Sequence, residues 1–197
     1  MANESAGHGT AKVPHVCPWW VGYLLASRIR RLITNPERML APYVTPGMTV
    51  LDVGCAMGFF SLPLARLAGH GGRVVCVDLQ ERMLQTLVAR TTKAGLAGRI
   101  EPRQCTGSDL GIGDLAGSVG FALAFFMVHE VPDPRALIAA IHAALAPGGR
   151  LFIAEPKLHV SRRDFDETIA RAREAGFEIV DAPPVRFSHA AVLRKIG

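Results

Sequence analysis

Residues 50–60, with the sequence VLDVGCAMGFF, constrain the fold more than any other part of this chain. The apolar, β-favouring residues at its start predict a buried parallel strand. Gly54 and Gly58 follow, and glycine permits backbone torsions and close approaches that a side chain would forbid. Asp52 places a carboxylate inside the apolar strand, where burial requires a specific partner. The pattern therefore predicts a strand, a tight glycine turn and a helix that cradle the polar end of a nucleotide-like cofactor.

The spacing of the acid and the glycines separates two kinds of cofactor loop. Dinucleotide-binding loops carry G-x-G-x-x-G and hold a pyrophosphate, which an acid two residues before the first glycine would repel. An acid suits a ligand that carries an ammonium and a sulfonium. The D-x-G-x-x-x-G pattern of Asp52, Gly54 and Gly58 resembles motif I of the class I S-adenosylmethionine-dependent methyltransferases. Ala56 stands where that family often has a middle glycine, so we expect a slightly reshaped loop.

The resemblance implies that Asp52 organises the methionine end of S-adenosylmethionine, partly through water. It also implies that the loop residues contact this cofactor, namely Gly54, Cys55, Ala56, Gly58 and Phe59. The alternative is a strand-turn-helix that binds no ligand.

A second short apolar strand, RVVCVD at residues 73–78, ends in another acid. Asp78 follows Gly58 by 20 residues, the interval at which nucleotide-binding folds place an acid on the ribose hydroxyls. A carboxylate can accept two hydrogen bonds from a vicinal diol. We therefore predict that Asp78 binds the ribose and that Leu79 packs on the adenine face.

The resemblance extends over residues 36–196. It places Cys105 and Thr106 at the start of the adenine-contacting loop, where Thr106 or Ser108 could replace the acid that is common in the family. Phe126 and Met127 end a fourth strand and are expected to contact the cofactor. Gly120 replaces an acid that commonly begins this strand. The segment LAPGGRLFIAE at residues 145–155 resembles the family's turn and fifth strand.

Alternating strands and helices predict a parallel sheet with helices on both faces. The family implies a doubly wound, seven-stranded, mostly parallel sheet with a C-terminal antiparallel hairpin, in a three-layer α/β/α, Rossmann-like arrangement. Predicted helices cover residues 17–35, 36–41, 59–68, 81–94, 133–145 and 164–175. Predicted strands after the first cover 73–78, 99–104, 121–126 and 150–155, and the hairpin covers 177–181 and 185–195.

We expect a flexible N-terminus at residues 1–15 and a single domain at 16–197, whose first part, 16–42, forms a helical lid. Cys17, Trp19 and Trp20 could cover the cofactor and contact the substrate, or could simply pack the first helix on the sheet.

Composition and charge argue against several other classes of protein. No apolar run reaches the 18 residues that a membrane-spanning helix needs. The four cysteines show no C-x-x-C spacing, so we predict no metal site and no disulfide framework. The net charge of +5 is dispersed without interleaved aromatics, which argues against nucleic acid as a partner. We expect a cytoplasmic protein with reduced thiols; the oligomeric state stays open.

Methyl transfer from a sulfonium needs positioning, and an oxygen or carbon acceptor also needs a general base. His129 is the first candidate because its ordinary pKa lies near neutrality, Glu130 is the second and Glu155 the third. His129 could instead be a structural histidine.

The sequence thus predicts an S-adenosylmethionine-dependent methyltransferase that acts on a small-molecule acceptor and releases S-adenosylhomocysteine. Four alternatives remain. They are a non-catalytic cofactor-binding sensor or assembly protein, a nicotinamide-dependent oxidoreductase, a metalloid enzyme using Cys17 and Cys105, and a peripheral membrane enzyme whose Trp19-Trp20 helix enters the lipid interface.

Overall fold

The computed structural model describes residues 34–107 and 109–197. Helices and strands alternate along the described chain, in the order α1 (Pro36–Leu40), β1 (Thr49–Val53), α2 (Ser61–Ala68), β2 (Arg73–Asp78), α3 (Glu81–Lys93), β3 (Ile100–Gln104), β4 (Val119–Phe125), α4 (Pro134–Ala144), β5 (Leu145–Pro156), α5 (Arg162–Glu174), β6 (Phe177–Asp181) and β7 (Ser188–Lys195). The predicted flexible N-terminus, the lid residues Cys17, Trp19 and Trp20, and Ser108 lie outside the described residues.

The seven strands form one sheet in the order β3-β2-β1-β4-β5-β7-β6. The first five strands pair in parallel, and β7 runs antiparallel to both β5 and β6. The last strand in sequence therefore lies between two strands that precede it. The expected mostly parallel, doubly wound sheet with an antiparallel hairpin is confirmed.

The sheet is apolar on both faces because successive side chains of a strand point to opposite sides. Leu51 and Val75 belong to one buried cluster, which includes side chains of α4 and α5. Val50 and Val74 belong to a second cluster, which includes side chains of α1, α2 and α3. Two clusters on opposite faces of one sheet give the expected three-layer α/β/α arrangement.

Several element boundaries differ from the sequence prediction, by one to five residues. Strand β5 begins at Leu145 rather than at residue 150, because Val119 pairs with Leu145 and Phe121 already pairs with Arg150. The predicted glycine turn is therefore an irregularity within the strand, where Gly148 has a φ of 73°.

Helix α2 begins at Ser61 rather than at residue 59, with Phe60 as its N-cap residue. Phe59 and Phe60 are both buried, and their rings pack edge to face with centroids 5.0 Å apart. Strand β7 begins at Ser188 rather than at residue 185, because residues 182–187 form the turn after β6. Packing of the two phenylalanine rings accounts for the later start of α2. The length of the turn after β6 accounts for the later start of β7.

No helix within residues 34–107 and 109–197 is long and apolar enough to cross a membrane.

Candidate functional site

A cavity of about 250 Å³ opens at the carboxyl ends of β1, β2 and β4. Open α/β sheets bind ligands at this edge, and the volume is close to the lower bound of about 300 Å³ for small-molecule sites. Eleven of the predicted site residues line it: Gly54, Cys55, Ala56, Phe59, Asp78, Leu79, Cys105, Thr106, Phe126, Met127 and Glu130.

Three predicted residues lie beside the cavity rather than on its wall, namely Asp52, Gly58 and His129. The sequence prediction also missed several lining residues, among them Phe60, Gln80, Met83, Leu110, Phe125, Val131 and Leu137. Most of these are apolar helix, strand or loop residues without a distinguishing local pattern, so only the folded arrangement brings them to the site.

The turn after β1 is held against β2 by backbone hydrogen bonds. The N–H groups of Gly54 and Cys55 both donate to the carbonyl of Val77, at 2.8 and 3.1 Å. Gly54 has a φ of 69°, and a Cβ added there would lie 2.9 Å from Cβ of Met127. The absence of a side chain at Gly54 therefore lets the turn pass close to the wall contributed by Met127.

Gly58 has a different reason to be glycine. A Cβ at this position would lie 2.3 Å from Cδ1 of Leu87 and 2.8 Å from Cδ1 of Leu62, so Gly58 allows α2 and α3 to approach each other. The guanidinium of Arg90 on α3 donates to the carbonyl of Met57. Gly58 thus allows α3 to pack against the loop and to hydrogen-bond to it.

Ala56 adopts a left-handed backbone conformation, with a φ of 46°. A residue with a Cβ is strained there, whereas glycine is not. Alanine at this position therefore strains the backbone of the loop, and the expected reshaping stays a prediction.

Asp78 joins the loop after β1 to the end of β2. Its Oδ2 accepts from the N–H of Ala56 at 2.8 Å, and its Oδ1 accepts from the N–H of Gln80 at 2.9 Å. Burial raises the pKa of this carboxyl, and the backbone donors oppose that rise. Each oxygen keeps a second lone pair that can accept from a ligand hydroxyl in the cavity.

Asp52 is only 2% exposed, and its Oδ2 accepts a hydrogen bond of 2.5 Å from the hydroxyl of Ser61. Burial raises the pKa of Asp52 from 3.8 to about 7, the charge of Asp78 adds to the rise, and the Ser61 hydroxyl opposes it. The carboxyl therefore lies behind the loop. Asp52 does not line the cavity, and its expected role at the methionine end, partly through water, stays a prediction.

The loop after β3 is held by Thr106 and Asp109. The N–H of Thr106 donates to the carbonyl of Asp109 at 2.9 Å, and the N–H of Asp109 donates to Oγ1 of Thr106 at 3.1 Å. Cys105 is anchored to β2 through a 3.0 Å bond from its N–H to the carbonyl of Asp78. These bonds set the position of the cavity wall that Cys105 and Thr106 form.

Burial raises the thiol pKa of both Cys55 and Cys105, which keeps these side chains protonated at neutral pH. Within the described part of the chain, no group of three or more His, Cys, Asp or Glu side chains is arranged to hold a metal ion.

Four phenylalanines form a continuous aromatic wall on the cavity. The ring centroids of Phe60 and Phe125 are 4.3 Å apart, and those of Phe125 and Phe126 are also 4.3 Å apart. Phe59 packs edge to face on Phe60. Phe126 has a φ of 63°, an unusual conformation for a bulky residue. Strained positions cluster at functional sites, which fits the position of Phe126 on the cavity.

His129 is held by Glu155, the acid near the end of β5. One carboxylate oxygen accepts from Nδ1 of His129, and the other accepts from the N–H of Val128 at 2.8 Å. Glu155 is 2% exposed, so its charge is compensated by these donors. The bond to Glu155 raises the pKa of His129 above its ordinary value, and burial opposes the rise.

This pair could have been anticipated in part from the sequence. Glu155 lies near the end of β5 and His129 follows β4, and the two strands are parallel, so both residues share an edge of the sheet. Which acid would pair with the imidazole depends on the strand order, which places β5 beside β4.

The fold and the site together define a nucleotide-cofactor-binding α/β domain. Residues 50–149 match the family model described as "Methyltransferase domain". Because the match covers half of the chain, the protein belongs to the methyltransferase-domain family.

Relatives and solved structures agree with this assignment. The ubiquinone biosynthesis O-methyltransferase of Xanthomonas campestris is 35% identical over 122 residues, which cover 60% of this chain and 48% of that protein. The nocamycin O-methyltransferase of Saccharothrix syringae is 33% identical over 120 residues, with coverages of 61% and 42%. The chain therefore spans about half the length of the curated relatives that it matches.

A crystal structure of a SAM-dependent methyltransferase from Aquifex aeolicus superimposes with a TM-score of 0.81 at 21% identity, over 92% of this chain and all of that one. This likeness supports the fold.

Proposed function

We propose that this protein transfers the methyl group of S-adenosylmethionine to a hydroxyl oxygen of a small-molecule acceptor. The observation that carries the proposal is the position of Asp78, whose carboxylate fixes the loop after β1 and also lines the cavity. Family membership and the two O-methyltransferase relatives support the reaction type.

The cavity residues fit this cofactor. Asp78 offers acceptor lone pairs to the two ribose hydroxyls, and Leu79 offers an apolar surface to the adenine. Because Gly54 has no side chain, the turn passes close to Met127, and the backbone at Gly54 is open to the methionine end of the cofactor. Asp52 lies behind that turn, where an acid would favour the ammonium group.

When bound, S-adenosylmethionine supplies a methyl group that is already activated by the sulfonium. The protein binds the cofactor and the acceptor, aligns them and removes a proton from the acceptor. The aromatic wall of Phe59, Phe60, Phe125 and Phe126 excludes water and favours a flat, apolar acceptor. Exclusion of water strengthens the electrostatic interactions within the site.

Proton removal is assigned to His129, with Glu155 as the residue that positions it. Because a carboxyl oxygen of Glu155 accepts from Nδ1, the neutral imidazole keeps its lone pair on Nε2 and can take the proton of an acceptor hydroxyl. Its neighbours Met127 and Glu130 line the cavity, which places the imidazole beside that wall. Glu130 is the alternative base.

The first experiment measures S-adenosylhomocysteine binding by calorimetry to the wild type and to Asp78→Asn. We expect micromolar binding by the wild type and a loss of about tenfold or more in the variant, because one ribose acceptor is replaced by a donor. Asp166→Asn, an exposed acid on α5, is the matched control and should bind like the wild type. Absence of binding by the wild type would refute the cofactor assignment.

The second experiment follows transfer of a labelled methyl group to catechol and to its saturated analogue cyclohexane-1,2-diol. We expect transfer to catechol to be favoured, because the aromatic wall contacts a flat ring and because a phenol hydroxyl loses its proton more readily than an alcohol. Transfer should fall strongly in His129→Gln; a larger loss in Glu130→Gln would move the base to Glu130.

One alternative function keeps support from a specific observation. His129 lies beside the cavity rather than on its wall, as expected of a sensor or assembly protein that binds the cofactor without turnover. Wild-type affinity for S-adenosylhomocysteine with no transfer to any acceptor of a broad panel would favour that function. Family membership weighs against the nicotinamide-dependent oxidoreductase.

A further inference from the structure

Two surface turns meet at the carboxyl end of β5, and each carries a large apolar side chain into solvent. Leu158, after β5, is 89% exposed, and Phe187, before β7, is 69% exposed. These are the two most exposed large hydrophobic side chains of the described residues. The N–H of Lys157 donates to the carbonyl of Phe187 at 3.0 Å, which joins the turns. Lys157, Leu158, Arg186 and Phe187 are called the rim patch below.

The conformation of Phe187 is not explained by packing. Its φ of 57° lies in the left-handed region, which is unfavourable for a bulky side chain. Glycine or asparagine would satisfy the same turn at lower cost. A strained residue with an exposed aromatic ring points to a role at the surface.

The charges next to these two side chains are positive. Lys157 is adjacent to Leu158 in sequence, and the guanidinium of Arg186 lies 4.8 Å from the ring centroid of Phe187. Arg162 and Arg163 are also near in sequence, but each pairs with an acid one turn further along α5. Lys157 and Arg186 therefore give the rim patch its charge.

The rim patch lies on the same edge of the sheet as the cavity. Pro156 pairs with Ser188, and one position earlier Glu155 pairs with His189. Glu155 is the residue that holds His129. The exposed side chains therefore follow directly after the strand residues that support the candidate base.

We propose that the rim patch docks this edge of the protein on an anionic lipid surface. Leu158 and Phe187 enter the interface between headgroups and acyl chains, while Lys157 and Arg186 contact lipid phosphates. Protruding apolar side chains with cationic neighbours suit such a surface, and the chain's net charge of +5 adds a long-range attraction. The proposal does not depend on methyl transfer; if both hold, an apolar acceptor would reach the cavity from the lipid.

Co-sedimentation of the 197-residue protein with vesicles tests the proposal. One set contains phosphatidylglycerol and phosphatidylcholine, and the other contains phosphatidylcholine alone. We expect the wild type to bind the anionic set, less tightly at high salt. Leu158→Ser with Phe187→Ser should weaken binding by about tenfold or more. Lys157→Gln with Arg186→Gln should weaken binding by about 25-fold, at about fivefold for each of the two charges.

The matched control changes the same residue classes at the opposite edge. Ile196, which is 54% exposed, follows β7, and Arg173 lies at the far end of α5. Ile196→Ser with Arg173→Gln should bind the anionic vesicles like the wild type. S-adenosylhomocysteine binding and circular dichroism verify that each variant is folded, independently of lipid.

Three outcomes would overturn the proposal. The first is no binding of the wild type to anionic vesicles. The second is equal weakening in the control variant, which would assign binding to overall charge. The third is a change of oligomeric state on gel filtration in Leu158→Ser with Phe187→Ser while lipid binding stays unchanged, which would make the rim patch a protein interface.

Discussion

Glu155 bridges His129 and the backbone of Val128, so one buried carboxylate fixes both the imidazole and the turn that carries it. This arrangement couples the protonation of His129 to its orientation. The raised pKa makes the imidazole a stronger base, but a base that is free only above that pKa.

Glu155→Gln is expected to lower the pKa of His129, because the negative partner that favours the imidazolium is removed. In the wild type kcat/KM should rise with pH through the raised pKa, and in the variant this limb should move to lower pH. We also expect kcat to fall by about 10- to 100-fold, because the imidazole loses its orientation. A pH series of initial rates, with the His129 titration followed by NMR, measures both effects.

The matched control is Glu178→Gln, an exposed acid of β6 that pairs with Arg194. This variant should show the same dependence of kcat/KM on pH as the wild type. A Glu155→Gln profile with an unmoved limb would show that His129 is not the titrating base.

Asp52→Asn is expected to stabilise the ligand-free protein above neutral pH by about 2 to 4 kcal/mol, because it removes a buried charge. The pKa of Asp52 is raised from 3.8 to about 7, so its contribution is fully favourable below about pH 4. That contribution is lost as the pH rises through about 7, and the wild type should therefore lose stability between these values. Urea unfolding across this pH range measures the difference.

The same variant should bind S-adenosylhomocysteine more weakly, since the acid that favours the ammonium is lost. Ser61→Ala provides the complementary test. It removes the hydroxyl that stabilises the charged carboxylate, so the pKa of Asp52 in the folded protein should rise further. The loss of stability with rising pH should therefore be larger than in the wild type and should continue to higher pH. Equal pH profiles for the wild type and Asp52→Asn would contradict the assignment of the titration to Asp52.

Ala56→Gly is expected to stabilise the protein by about 1 kcal/mol, because glycine adopts the φ of 46° without strain. Ala89, an exposed residue within α3, is the control for the same substitution. Ala89→Gly should destabilise by about 1 kcal/mol, as glycine does in a helix interior. Thermal unfolding of both variants measures whether each substitution raises or lowers the stability. A destabilised Ala56→Gly variant would show that this loop residue is not strained.

His142, which does not line the cavity, should make the folded protein less stable at acidic pH. Its Nε2 is buried against Gly176, and its ring packs edge to face on Phe177 with centroids 5.0 Å apart. Burial lowers the pKa of His142, and the charge of Lys195 lowers it further. Its stabilising contribution is therefore present above the ordinary pKa of 6.5 and is lost as the pH falls below that value.

His142→Leu should remove this acid-side loss while keeping an apolar contact with Phe177. Urea unfolding at pH 5 and pH 8 compares the variant with the wild type. A pH dependence that persists in the variant would assign the loss of stability to another group.

Strands β1 and β2 at the candidate site could be predicted well, because their apolar runs are short and are followed by a glycine or end in an acid. Strand β2 matches the predicted 73–78 at both ends. Strand β5 was less predictable, since its first residues include Pro147 and two glycines that normally indicate a turn. Pairing with Val119 overrides that local preference.

The predictable part of the site is the part that is local in sequence. The loop around Gly54 and the acid at Asp78 follow from spacing. The bond from Ser61 to Asp52 and the bond between His129 and Glu155 join residues whose proximity depends on helix placement and strand order. Strain at Ala56, Phe126 and Phe187 is likewise a property of the folded backbone, since each residue type is ordinary.

The position of β7 also affects the order in which the chain can fold. A nascent chain that has completed β6 still lacks the strand that separates β5 from β6, so the outer edge of β5 has no partner from the final hairpin. Only synthesis of residues 188–195 supplies it. Until then that edge can pair with other extended chains. Changes that slow the insertion of β7 should therefore lower the yield of folded protein through aggregation during synthesis, even where the finished protein is as stable as before.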